Sequence, residues 1–243
     1  MATKTDLEER LERRRRLPWP FTFYASAVGK KWVMGITGII VLGFIVSHMV
    51  GNLHAFEGPA QINDYGEALR DLGGDLLPRT LALWVIRIVL TTAFVLHIHA
   101  AYSLTVINRR ARPDKYQAPR EYLVANYASR TMVWSGTIVG LYIVYHLAHL
   151  TWGGAHPDFI RGDVYHNLVA GFERWPVAAV YIVANLLLGM HIYHGAWSLF
   201  QSLGVNNPAY NSWRRVFAAG LAVVVTVGFI SVPIAVLTGV IST

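Results

Sequence analysis

Residues 32–53 read WVMGITGIIVLGFIVSHMVGNL, a stretch without a single charge and with one histidine, His48, set among aliphatic side chains. A helix rises 1.5 Å per residue, so roughly 20 mostly apolar residues cross the hydrocarbon core of a bilayer. The stretch reads as a membrane span. The Arg13–Arg16 run ahead of it gives it some likeness to a signal peptide. It is too long for the apolar region of one, and no small-residue cleavage site follows, so a retained helix is expected.

Four further blocks of the same character follow, at about 81–107, 131–152, 177–201 and 216–240. The whole-chain composition agrees: of 243 residues, 54% are hydrophobic and 14% charged, against roughly 25% charged in a soluble domain. The mean hydropathy is +0.38. The expected fold class is an all-α membrane protein with five transmembrane helices: an N-terminal arm at 1–21, then a membrane domain at 22–243. The absence of cysteine excludes disulfides, cysteine-ligated iron–sulfur clusters, zinc–thiolate sites and covalent haem attachment.

The net charge of +7 decides orientation once the charges are placed. Sixteen of the 21 Lys and Arg precede span one or lie in the loops after spans two and four, with six acidic residues among them, a net of about +10. The other loops hold four basic and eight acidic residues, about −4, and Arg87 lies inside span two. The positive-inside rule then puts the N-terminus and both basic loops in the cytoplasm and the C-terminus outside. Membrane lipid or an acidic partner fits this basicity. Nucleic acid does not, because no aromatic-and-basic binding module is present. On the outer side, a short interfacial helix is expected around residues 63–69, ahead of Gly73 and Gly74, and residues 154–175 read as a loop rich in Gly, Asp and His.

Ten histidines are present, and eight lie in or at the edges of the spans: His48, His54, His97, His99, His146, His149, His191 and His194. Ionisable groups in a membrane are costly and face the bundle interior. Imidazoles paired across facing helices are what bis-histidine b-type haem requires. Depth selects the pairs. His48 lies roughly 25 Å beyond Lys31, and His146 roughly 24 Å beyond Arg130; His99 lies roughly 15 Å from Arg109, and His191 roughly 15 Å from Gln201. His48 therefore matches His146 in the outer half and His99 matches His191 in the inner half, about 10 Å apart vertically, with room for two stacked haems.

His97 and His99 point to opposite faces of one helix, while His146/His149 and His191/His194 share faces, so exchange within those two pairs stays open. His54, His97, His149 and His194 are secondary: propionate or quinone contacts, or structural hydrogen bonds. Gly136 and Gly140 form a GxxxG, which reads first as helix packing. Arg87 either meets a haem propionate or snorkels.

Several segments together resemble a known family: SAVGKKWVMGITG (26–38), SHMVGNL (47–53), HIHAAY (97–102), YHL (145–147) and MHIYHGAWS (190–198). In this order on five helices they resemble the single-subunit, two-haem cytochrome b membrane anchor of succinate dehydrogenases and fumarate reductases, over about residues 22–240. The resemblance implies His48 and His146 as ligands of a distal haem b, and His99 and His191 as ligands of a proximal one. It also implies a flavoprotein and an iron–sulfur subunit docked on the cytoplasmic face, where dicarboxylate chemistry occurs. Electrons would pass between these subunits, the haems and a membrane quinone, menaquinone or ubiquinone, in a bacterial inner membrane. A higher oligomer is compatible with it.

Ser26, Lys30, Lys31 and Trp32, at the inner start of span one, are quinone candidates, with interface anchoring as the plainer role for each. Two other readings compete: a cytochrome b anchor of a formate dehydrogenase or hydrogenase, and a transporter with a histidine relay. No span contains Asp or Glu, the usual members of such a relay, which weighs against the second.

Overall fold

The computed structural model describes residues 18–111, 127–205, 207, 209 and 211–242. The expected N-terminal arm as far as residue 17, and Arg112, Lys115 and Arg120 of the first basic loop, lie outside the described residues. Among the described residues all regular structure is helical. The helices are α1 (Trp19–Ala25), α2 (Ala27–Leu53), α3 (Pro59–Ala68), α4 (Leu81–Ala111), α5 (Tyr127–His146), α6 (Val164–Phe172), α7 (Trp175–Ser202) and α8 (Asn211–Leu237). Short 3-10 turns occupy His54–Glu57 and Gly74–Leu76, and a π turn runs from Leu147 to Thr151. Five helices are long and apolar enough to cross a membrane: α2, α4, α5 with its π turn, α7 and α8.

The expected spans are found, but the edges of three helices move. α2 starts at Ala27 rather than near 32, α4 runs to Ala111, and α8 occupies Asn211–Leu237 rather than 216–240. The sequence edges were set at charges, yet charged residues continue the helices. Lys30 and Lys31 lie within α2, and Arg109 and Arg110 form the last turn of α4, where cations suit the helix dipole.

The chain divides into two compact units: residues 1–41 with 91–120, and residues 42–90 with 121–243. In the first, the chain turns sharply between α1 and α2 at Ser26. The Ser26 hydroxyl accepts the Gly29 N–H at 2.9 Å and donates to the Phe23 carbonyl at 2.7 Å, the N-cap arrangement that occupies one of the free amides of a helix start. Gly29 is required here, because a Cβ would collide with the Phe23 carbonyl. Lys30, almost fully buried, sends its ammonium to the Tyr24 carbonyl at 2.7 Å.

The second unit has its core among α6, α7 and α8, around Val169, Phe172, Tyr181 and Val236. α7 and α8 meet through small residues: Ala196 and Ala218 are buried, and Gly189 lies against Thr226. In a bilayer such residues let backbones approach and gain dispersion contacts.

Where a short helix is expected at 63–69, the chain forms α3, which starts earlier, at Pro59. The region 154–175, read as a loop, contains a helix as well, α6. Asn63 of α3 explains it: its carbonyl oxygen accepts the N–H groups of Val164 and Tyr165 at 2.8 and 3.1 Å. Asp163 completes the cap, accepting from the His166 N–H at 3.0 Å and from the Asn63 amide at 3.1 Å. Three α6 amides are thus satisfied from outside the helix.

The Asp163 carboxyl is held below the usual carboxylate range, chiefly by the His166 N–H, with the Asn63 amide adding to it against partial desolvation. A depressed folded value contributes stability above the unfolded value, lost as pH falls through the folded one. Amide hydrogen exchange in α6 should therefore accelerate as pH is lowered from the usual carboxylate range toward the folded value, after correction for intrinsic rates. Asp163→Asn should remove that pH dependence; an unchanged profile in the variant would refute the assignment.

Candidate functional site

His48 on α2 and His146 at the end of α5, expected as a pair from depth alone, come together in the second unit. Their ring centroids lie 5.9 Å apart with the planes at 81°. Aromatic residues wall the pair. Phe44 stacks on His48 at 5.3 Å, Phe229 of α8 lies 5.9 Å from it, and Tyr142 and Tyr181 lie 5.9 and 5.8 Å from His146. The His146 Nδ1 atom is buried with no hydrogen-bond partner. A buried polar atom left unpaired costs about 1–3 kcal/mol. Two imidazoles on facing helices, in an apolar aromatic box, form a donor set that suits haem iron.

Sequence reading missed these walls, although part of the signal was there. Phe44, Tyr142 and Tyr145 each stand four residues before a histidine (His48, His146 and His149), and residues so spaced are neighbours on a helix. Tyr181 and Phe229 come from other helices, and nothing in local spacing points to them.

The secondary histidines separate by environment. His149 sits in the π turn, fully buried, with Nδ1 3.0 Å from the Tyr181 hydroxyl and its ring stacked on Tyr145. A Cβ on Gly171 would lie 2.7 Å from it. His149 is thus closely packed, while its Nε2 is buried with no hydrogen-bond partner. His54 pairs with Glu57 at 3.1 Å and lies 5.0 Å from the Tyr65 ring. His194 lies edge-on to Trp197 at 6.2 Å.

His191 of α7 faces α5 at Gly136, where a Cβ would stand 3.1 Å from the imidazole. Gly136 therefore makes room for a histidine ring, while Gly140 meets nothing within 4 Å. One glycine of the GxxxG thus lies against an imidazole of α7. Arg87 is exposed, with its guanidinium 5.1 Å from the Trp84 ring. This is a cation–π contact within one helix.

In the first unit, His97 and His99 point apart, as helical spacing requires. His97 meets α2, with Nδ1 3.1 Å from the Met34 carbonyl and 3.4 Å from the Thr37 hydroxyl, next to Gly38. His99 is exposed, its Nδ1 2.5 Å from the Tyr24 hydroxyl. Of the four quinone candidates, Ser26 and Lys30 build the α1–α2 corner. Lys31 and Trp32 are exposed.

Comparison with known proteins adds one finding. A family model described as "Succinate dehydrogenase/Fumarate reductase transmembrane subunit" matches residues 108–230, just over half of the chain, including His146 and His191. No curated protein and no solved structure matches.

Proposed function

The chain belongs to the succinate dehydrogenase/fumarate reductase transmembrane subunit family, a multi-pass membrane subunit of an oxidoreductase complex, and from that premise we propose that it is a two-haem cytochrome b anchor. The observation that carries the reading is the His48–His146 pair: two imidazoles from different helices, 5.9 Å apart inside an aromatic box. These two residues hold the outer haem. His191 holds the inner one with a histidine of α4, for which height on the helices names His99.

Bound haem supplies a one-electron relay between the soluble subunits and quinone. The chain's own part is to fix the ligands and keep water from them. Phe44, Phe229 and Tyr142 exclude solvent from the outer pair, and α2, α5 and α8 set its depth. The flavoprotein and iron–sulfur subunits dock on the cytoplasmic side, where the basic loops lie, and the membrane is a bacterial inner membrane. Quinone, menaquinone or ubiquinone, is the redox partner in the lipid phase. Support for the docking side comes from the charge asymmetry, since a protein carrying its positive charge on one face attracts an acidic partner there.

The test is a pyridine haemochrome count on the isolated complex with its soluble subunits, followed by addition of succinate. Two b-type haems per anchor chain, reduced by succinate, are expected. A complex without haem, or haem reduced by formate or hydrogen and not by succinate, would overturn the proposal.

A further inference from the structure

Between α3 and α4, in the second unit, the chain makes a loop whose ends are tied together. The Thr80 N–H donates to the Arg70 carbonyl at 2.6 Å. Arg79 reaches back to Glu67 at 2.7 Å and to Asp71 at 2.9 Å, and Arg70 bonds Glu67 at 2.6 Å. Two guanidinium groups and two carboxylates thus form one network of no net charge at the base of the loop. Gly73 and Gly74 turn the chain with φ of 102° and 51°, a region open to glycine and strained for other residues. Leu77 packs back on Gly73, where a Cβ would stand 2.7 Å from it. The loop is built rather than slack, and what it holds out is apolar. Leu76 is 92% exposed, and Leu72 and Leu77 are exposed as well.

The length of α4 says where these leucines stand. From Leu81 to Arg109 the helix rises roughly 42 Å, the thickness of a bilayer with its headgroups rather than of the hydrocarbon core alone. With Arg109 at the headgroups of one side, Leu81 lies at those of the other. Leu77 is four residues from Leu81, so at most about 14 Å of chain separates the two. Trp84, Trp152 and Trp175, exposed at the ends of α4, α5 and α7 that face the same side, are the aromatic belt expected at that level.

We infer that residues 70–80 form a lipid-anchoring loop, whose leucines enter the headgroup layer of a zwitterionic phospholipid surface. The loop leads directly into the lipid-facing flank of α4, where Leu81, Trp84 and Val85 are exposed. The paired charges at its base suit a layer of lowered dielectric, in which an unpaired guanidinium is costly. Asp75, exposed next to Leu76, limits the depth of entry and favours ammonium headgroups over anionic ones. The basic loops, and with them the docking side of the soluble subunits, lie across the membrane from this loop. The inference does not depend on the haem reading.

The experiment uses the assembled complex carrying Leu76→Cys, labelled with an environment-sensitive thiol dye and reconstituted into vesicles of phosphatidylcholine and phosphatidylethanolamine. This chain has no cysteine, so the unsubstituted complex, labelled in the same way, supplies the blank. Asp158→Cys, at an exposed side chain on the same side of the membrane, is the water reference. The dye at position 76 is expected to emit at shorter wavelength than the dye at 158. It should lose most of its emission to nitroxide-bearing lipid and resist quenching by aqueous iodide. Should Leu76→Cys fail to assemble, Leu72→Cys provides the same reading. Iodide quenching equal to that at position 158 would overturn the inference. A blue shift without quenching by the lipid nitroxide would overturn it too, because the loop would then be covered by protein, such as a second copy of this chain.

Discussion

Replacing His48 or His146 by alanine is expected to halve the haem content of the complex, from two per chain to one. Each variant should leave the same haem behind, because the two residues serve one site. Their rings already lie within 6 Å of one another, and loss of either imidazole leaves a single axial donor in a box whose other walls are Phe44, Phe229 and Tyr142. None of those walls offers iron a comparable nitrogen ligand. Reduced-minus-oxidised spectra of the two variants should therefore superimpose. Different residual spectra, or two haems in either variant, would show that the pair is not a site.

His149→Ala provides the contrast. His149 is fully buried, bonded to Tyr181 and packed under Gly171. Its loss should keep both haems and lower the thermal stability.

Gly189→Leu should destabilise the second unit by about 1–3 kcal/mol, the usual range for overpacking a filled contact. Even a Cβ at this position would run into the Thr226 hydroxyl on α8. A leucine side chain pushes α7 from α8 over the contact that Ala196, Ala218 and Ala222 bring close. In lipid no hydrophobic driving force compensates, since the displaced helices find tails as apolar as themselves. A lowered midpoint of thermal unfolding in detergent, with α7 also carrying His191, should appear together with weaker haem retention. A variant as stable as the parent would show that the α7–α8 contact yields at little cost.

The features that were legible in sequence and those that were not differ in physical kind. Five spans were readable because apolar length is a local property: 22 uncharged residues at 32–53 admit few alternatives. The histidine depths were readable for the same reason, since helical rise is fixed. Span edges were less so, because Lys30 and Arg109 sit inside helices that composition alone would end earlier. α6 was missed because its start depends on Asn63, a hundred positions away in sequence, which caps Val164 and Tyr165. Half of the aromatic box could have been found from the four-residue spacing before His48 and His146. Tyr181 and Phe229 could not.

Sequence by itself determined that this chain crosses a membrane five times, which ends carry the positive charge, and that histidines of matching depth lie on different helices. These follow from hydrophobicity and a fixed rise per residue, quantities that need no neighbour. Only the tertiary structure decided what each imidazole meets. It brought His48 to His146, buried His149 under Gly171, and set His97 beside the Met34 carbonyl and His99 beside the Tyr24 hydroxyl. What a side chain meets is set by the partner across the gap, and that partner belongs to another helix.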